Sequence, residues 1–232
     1  MKRVLLKLSG EALTTPGQFG LDAVQISAMV QQIVAAAKQK VEIAIVVGGG
    51  NFLRGATASN TQLTRMTADQ MGMLATVLNG LALRDAIVAA GCEVELFSAL
   101  AITGIAPAID IRRARKVMAK SRVVIFAGGT GNPFVTTDST ASLRAIEIEA
   151  DLLLKATKVD GVYDKDPSKY KDAKRFVRLS FDDALERRLA VMDIGAFSQC
   201  RDYRIPIRVF DLFKPGALQA ALLGAEEGSL IT

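Results

Sequence analysis

Short apolar runs recur along the chain at 4–8, 42–47, 94–97, 123–126, 152–156 and 205–210, with longer stretches of helical spacing between them. Each run is too short for a helix and too continuous for a strand with one wet face. Strands of this kind are buried on both faces, as in parallel sheets covered by helices. The intervening stretches agree. Ile26, Met29, Val30, Ile33, Val34 and Ala37 fall on one helical face behind a capping Asp22. Thr67-Ala68-Asp69-Gln70 reads as a capping box with Thr67 as cap, opening a helix through Met73, Leu74, Val77, Leu81 and Leu83 that stops at Gly91. A basic helix is expected over 112–120. The pattern predicts an α/β fold, a three-layer α/β/α sandwich with a mostly parallel central sheet. At 232 residues the chain is expected to form a single domain over 1–232. The polar stretch 160–178 reads as a loop or lid.

Glycine loops follow two of these runs. Ala127-Gly128-Gly129-Thr130-Gly131-Asn132-Pro133-Phe134-Val135-Thr136-Thr137-Asp138 leads into a helix expected to begin near Ser139, and Gly48-Gly49-Gly50-Asn51 follows the run at 42–47. Glycines let the backbone approach an anion, hydroxyls add donors, and a helix start adds unpaired N–H groups and a positive dipole end. In open α/β sheets ligands sit beyond the carboxyl ends of the strands, so both loops should converge there. Lys7 lies inside the first apolar run, just before Ser9-Gly10. On a central strand it needs an anionic partner, which a phosphoryl group would supply; on an edge strand it would face water. Arg54 stands four residues after Gly50, suited to charge on a transferring phosphoryl group. After the run at 152–156, Asp160-Gly161 signals a turn; Tyr163 is placed to stack on a base and Asp166 to hold a ribose hydroxyl or a Mg²⁺ water, though spacing alone assigns neither role. Among Asp138, Asp166 and Asp193, only Asp138 stands inside a glycine loop.

Composition narrows the chemistry. There is no histidine, which removes Ser-His and Cys-His catalysis and most zinc sites. Cys92 and Cys200 match no metal spacing and read as buried free thiols. The chain lacks the G-x-x-x-x-G-K-[ST] of P-loop kinases, the H-R-D of protein kinases, and a G-x-G-x-x-G after the first run. The net charge of +5 suits a small polyanion, and the absence of an aromatic-laced basic stripe argues against nucleic acid as the main ligand. No apolar run approaches the ~20 residues of a membrane span, and Lys7 interrupts the first apolar run too early for a signal peptide, so a cytoplasmic protein is expected. What remains is phosphoryl transfer built on Lys, Arg and glycine amides, a reaction that needs positioning and charge neutralisation more than a base.

Lys7-Leu8-Ser9-Gly10-Glu11-Ala12, Gly48-Gly49-Gly50-Asn51 with Arg54, Gly129-Thr130-Gly131-Asn132-Pro133-Phe134 with Thr136-Thr137-Asp138, and Lys155-Ala156-Thr157-Lys158-Val159-Asp160-Gly161-Val162-Tyr163 resemble the bacterial uridylate kinases of the amino-acid kinase family. The resemblance extends to Pro206-Ile207-Arg208-Val209-Phe210 and the terminal Gly228-Ser229-Leu230-Ile231-Thr232. It implies transfer of the γ-phosphoryl group of MgATP to UMP in pyrimidine nucleotide biosynthesis. Lys7 and Arg54 would neutralise the transferring group and Asp138 would orient the cationic groups. Leu8, Ser9, Gly10, Glu11, Ala12 and Gly50 would form the ATP phosphate loop, with Thr157, Tyr163 and Asp166 lining the ATP site. Gly49, Asp69, Thr130, Gly131, Asn132, Pro133, Phe134, Val135, Thr136 and Thr137 would hold UMP. Mg²⁺ would arrive with ATP, without direct protein ligands.

The same resemblance implies a homohexamer, with UTP and GTP as effectors at Thr15, Pro16, Gly17, Gln18, Phe19 and Gly20. Pro16 and Gln18 differ from the glycine- and acid-containing loop of GTP-responsive members, while Phe19-Gly20 is kept. An oxyanion-storage protein on the same fold and a nucleic-acid-binding regulator are the rival readings; Lys7, Arg54 and Asp138 together favour the enzyme.

Overall fold

The computed structural model describes residues 2–53, 62–189 and 191–232. The apolar runs become β1 (Arg3–Leu8), β2 (Glu42–Val47), β3 (Val94–Ser98), β4 (Val123–Ala127), β5 (Leu152–Thr157) and β9 (Ile207–Asp211). They lie in the order β3-β4-β2-β1-β5-β9, all parallel. Two short strands extend this sheet: β10 (Ser229–Ile231), antiparallel to β9, and β8 (Arg178–Leu179), parallel to β10. The sheet is therefore mostly parallel, as the continuous apolar runs require.

Side chains alternate between the two faces of a strand, and the core divides accordingly. Val4, Leu6 and Leu8 of β1 pack with Ile43, Ile45 and Val47 of β2 against α1 (Ala23–Lys38), α2 (Arg65–Ala89) and α7 (Ala217–Leu222). Leu5, Ala44, Val46 and Leu153 face the opposite layer, made by α3 (Ile111–Met118), α4 (Thr137–Glu147), α5 (Phe181–Glu186) and α6 (Ile194–Asp202). Lys7 and Lys155 share parity with Leu5 and Leu153. Both therefore point to the layer that contains α4.

Local signals set several boundaries as read. The Asp22 carboxylate caps α1 by accepting from the N–H groups of Val24 and Gln25, and Gly91, at φ 78°, follows the end of α2. Others moved. The cap of α2 is Thr64, whose hydroxyl accepts from the Thr67 N–H at 3.2 Å. The helix thus starts three residues before the expected capping box, and Asp69 lies in its second turn. Thr136 caps α4, so Asp138 sits in that helix's first turn rather than closing a loop ahead of it. Within 160–178, β6 (Val162–Tyr163) and β7 (Arg175–Phe176) pair as a small antiparallel sheet, where a loop was expected. Cys200 is buried, whereas Cys92 is only half-buried.

By length and composition alone, α2 is apolar enough to cross a bilayer. Its inner face instead packs against β3 and β4, with Gly80 letting it come so close that a Cβ there would lie 2.8 Å from the Leu96 side chain. On its outer face Met71, Leu74 and Leu78 are about half exposed.

Candidate active site

The carboxyl ends of β1, β2, β4 and β5 all open on the same edge of the sheet, because parallel strands end together. β1 and β5 are neighbours with Lys7 directly opposite Lys155. Between the two ammonium groups stands Asp138, from the first turn of α4. Its Oδ1 is 2.9 Å from Lys7 Nζ and its Oδ2 accepts from Lys155 Nζ at 2.7 Å. All three side chains are 13–15% exposed. Burial would push the Asp138 carboxyl up, but the charges of Lys7 and Lys155 outweigh it and hold that carboxyl below its usual range. For Lys155 burial dominates and lowers its pKa, with Asp138 partly restoring it. Two ammonium groups share this one carboxylate, with the charge of Asp193 also acting on Lys155, a cluster in which cations outnumber the bridging anion.

Backbone donors surround this cluster. Gly10 opens the 3-10 turn after β1, and a Cβ there would fall 2.5–2.7 Å from Asn51, Gly48 and Gly50, so only glycine lets the two loops touch. The Gly48 N–H donates to the Leu8 carbonyl at 2.9 Å, closing the β1 and β2 loops together. Gly49 lies so near α2 that an added Cβ would be 2.6 Å from the Gly72 carbonyl. Across the β1 and β5 ends, Lys158 pairs with Glu11 at 2.5 Å.

Two cavities flank the cluster. One, of about 570 Å³, runs between the glycine loops and α2 and includes Gly49, Gly50, Asp69, Asn132, Val135, Thr136 and Thr137 of the expected residues. Thr130, Gly131, Pro133 and Phe134, expected in the same set, do not line it. Phe134 is exposed, at φ 67°, with its N–H donating to Asp69 Oδ2 at 2.8 Å and its ring beside the Arg65 guanidinium. Arg65 also grips both Asp69 oxygens at 2.9 Å. The second cavity, of about 530 Å³, is lined by Lys155, Thr157, Tyr163 and Asp166 together with Arg187 and Arg188. Here the Tyr163 hydroxyl donates to Asp160, and Asp166 accepts from the backbone and hydroxyl of Ser168. Lys155 belongs to the second cavity, and Thr137, next to Asp138, to the first. The lysine–aspartate–lysine cluster thus stands between the two.

Leu8 and Ala12 are buried. Arg54 lies outside the described residues. The expected effector loop sits against the end of the second glycine loop: the Gly20 N–H donates to the Asn51 carbonyl at 2.9 Å and the Phe19 ring meets Phe52 edge-on. Within it Thr15 donates to Asp22, Gln18 N–H returns to the Thr15 carbonyl, and Gly17 takes φ 85°, leaving Pro16 on the turn between them. Asp193 caps α6 and accepts from Thr136 and Ser139 at the head of α4.

Sequence reasoning assigned no role to Lys155, although its position in an apolar run is the same signal that marked Lys7. It also passed over Arg65, Thr76 and Asn79 of α2, which carry no local signature.

A parallel sheet whose strand ends carry glycine loops, a bridged lysine pair and a cavity on either side of it defines a nucleotide-binding phosphotransferase. Residues 2–211 match the Amino acid kinase family, and the chain belongs to that family. It is similar to the uridylate kinase of Francisella tularensis subsp. holarctica, 52% identical over 233 residues that span all of this chain and 94% of that one. The uridylate kinase of Coxiella burnetii is 52% identical over 230 residues, 99% of this chain and 95% of its own. The crystal structure of UMP kinase from Bacillus anthracis superposes with a TM-score of 0.96 at 36% identity, covering 100% of this chain and 96% of that one.

Proposed function

We propose that the protein transfers the γ-phosphoryl group of ATP to UMP, giving UDP and ADP in pyrimidine nucleotide synthesis. The observation that carries this reading is the bridged lysine pair standing between two cavities of about 570 and 530 Å³. UMP occupies the cavity beside α2 and the adenosine of ATP the cavity beside Tyr163, so that acceptor phosphate and γ-phosphoryl group meet at Lys7 and Lys155. An oxygen of the UMP phosphate forms the new bond to the γ-phosphorus while the bond to the β-phosphate oxygen breaks, and ADP leaves with that oxygen's charge. The acceptor is already an anion. No base is required, which suits a chain without histidine. Lys7 and Lys155 hold the equatorial and leaving oxygens, Asp138 keeps the two ammonium groups from repelling each other, and Arg54 joins them. Both Asp138 oxygens face lysines, so Mg²⁺ fits here as a companion of the ATP phosphates, supplying further charge neutralisation, rather than as a protein-ligated ion.

In this reading the chain works as one unit, its first half holding the acceptor and its second half ATP, in the cytoplasm where both nucleotides circulate. The exposed apolar face of α2, with Phe19 and Val24 also exposed, supports assembly of several copies, and we read the assembly as a hexamer. The contact of the 15–20 loop with Asn51 and Phe52 supports effector binding by GTP or UTP. Steady-state assays with UMP, CMP, AMP and GMP, with and without GTP and UTP, test the function, with light scattering on the same sample for the assembly. UMP should give the highest kcat/KM, since buried groups made for one base edge are left unpaired by another. Comparable values for CMP would sink the specific reading.

Asp69 separates substrate binding from structure. If its carboxylate accepts from the UMP ribose, Asp69→Ala raises KM for UMP about ten- to a hundredfold, the equivalent of a charged hydrogen bond. KM for ATP stays put, and the preference for UMP over dUMP shrinks. A lowered melting temperature with unchanged KM for UMP would instead limit Asp69 to holding Arg65 and the Phe134 backbone.

A further inference from the structure

α2 turns two buried polar side chains inward, Thr76 and Asn79, one turn apart, and each holds the backbone of a different glycine loop. The Thr76 hydroxyl accepts from the Gly128 N–H at 2.7 Å. Asn79, fully buried, donates through Nδ2 to the Gly48 carbonyl at 2.7 Å and to Asn51 Oδ1 at 2.7 Å. Asn51, 2% exposed, returns the bond from its own Nδ2 to Asn79 Oδ1 at 2.9 Å and reaches the Gly20 carbonyl at 2.8 Å. The amide orientations are forced, because the carbonyls of Gly48 and Gly20 can only accept and so must face nitrogen. Every amide hydrogen of the pair is used.

A polar side chain in an otherwise apolar helix face costs free energy unless it is fully bonded, and here it is bonded to a glycine loop rather than to another part of the core. We propose that Asn79, clasped by Asn51, is a positioning residue for phosphoryl transfer: by anchoring the Gly48 carbonyl it aims the Gly49 N–H at the reacting phosphates. The physical reason lies in the planar trans peptide, which sets the Gly49 N–H opposite the Gly48 carbonyl. The next peptide is fixed in the same way, since the Gly49 carbonyl accepts from the N–H groups of Phe52 and Leu53 at 3.0 and 3.1 Å, and so directs the Gly50 N–H. A run of three glycines has no side chains to hold these planes, and without the Asn79 anchor the first loses the hydrogen bond that fixes its carbonyl. Gly49 and Gly50 both line the acceptor cavity, yet Asn79 does not. Its influence on the reaction passes through the Gly48–Gly49 peptide and through Asn51, which follows Gly50. Because Asn51 also grips Gly20, displacement of the 15–20 loop is transmitted to the same peptide.

This inference rests on the kinase reading, so the parent protein is assayed beside the variants. Asn79→Asp keeps the side-chain volume but presents oxygen to the Gly48 carbonyl; Asn51→Ala leaves the helix intact and removes the partner that orients Asn79. A misaimed donor shows in turnover rather than binding. We expect kcat to fall about ten- to a hundredfold for Asn79→Asp, and less for Asn51→Ala, with KM for UMP and ATP within about threefold, all measured well below the melting temperature. A purely structural role lowers the melting temperature and leaves kcat of the folded protein within twofold of the parent, which overturns the proposal. Should Asn79→Asp fail to fold, Asn51→Ala decides by the same criterion. An inactive parent would refute the kinase reading itself, a result distinct from an active parent with unaffected variants.

Discussion

Lys7→Met is expected to slow turnover about a hundred- to a thousandfold, the usual loss when one preorganised donor to developing charge is removed. The effect should fall on kcat rather than on either KM, because the charge that Lys7 meets grows chiefly during transfer. Methionine fills nearly the same volume and leaves Asp138 paired with Lys155 at 2.7 Å, so circular dichroism should report a folded protein. Lys155→Met should behave alike, since the two lysines stand opposite one another in register and share the same carboxylate. A folded Lys7→Met enzyme with near-normal kcat would take this lysine out of the mechanism.

The second large effect is on stability as well as rate. Asp138→Asn keeps the shape of the first turn of α4 but leaves two mostly buried ammonium groups facing each other without a countercharge. Removing one partner of such a cluster costs about 3 kcal/mol. In a chain of this size that lowers the melting temperature by about 6–12 °C. Turnover should fall too, as the lysines move apart. The pH dependence follows from the direction of the Asp138 shift. Its carboxyl is depressed in the folded protein from an ordinary value of 3.8, so the unfolded chain takes up the proton first as pH falls. Its stabilisation is therefore complete above about pH 4 and lost as pH drops through the lower folded value. Calorimetry should find a constant gap between parent and Asp138→Asn from pH 7 to about 4.5, closing below 3.8. Equal melting temperatures at neutral pH would show that the lysines do not depend on this carboxylate.

Much of the site was legible because its signals are local. The glycines at 48–50 and 128–131, the lysine inside the first apolar run and the hydroxyls before Asp138 declare an anion site by residue type and spacing alone. Boundaries were less legible. Thr64 and Thr67 are both competent caps, and which one starts α2 depends on how far the helix extends before the chain must turn. The loop from Thr130 to Phe134 shows the same limit. Asn132 of that loop lines the cavity, whereas the backbone at Phe134 takes a positive φ and turns the ring outward beside Arg65.

Taken alone, the amino-acid order determined the layers, since two-residue alternation and helical spacing are properties of a single segment and state which faces must be buried. It placed Lys7 inside an apolar run but left open whether that strand is central or at an edge; parity with Leu5 and Leu153 gives the face of Lys7 and Lys155 only once the strand order is known. Only the tertiary structure decided that β1 and β5, nearly 150 residues apart, are neighbours, so that the two lysines meet over Asp138. It also decided that Asn79 reaches the Gly48 carbonyl across 31 positions. Strand order and buried polar contacts are settled by hydrogen bonding and packing between distant segments, and no periodicity within one segment carries that information.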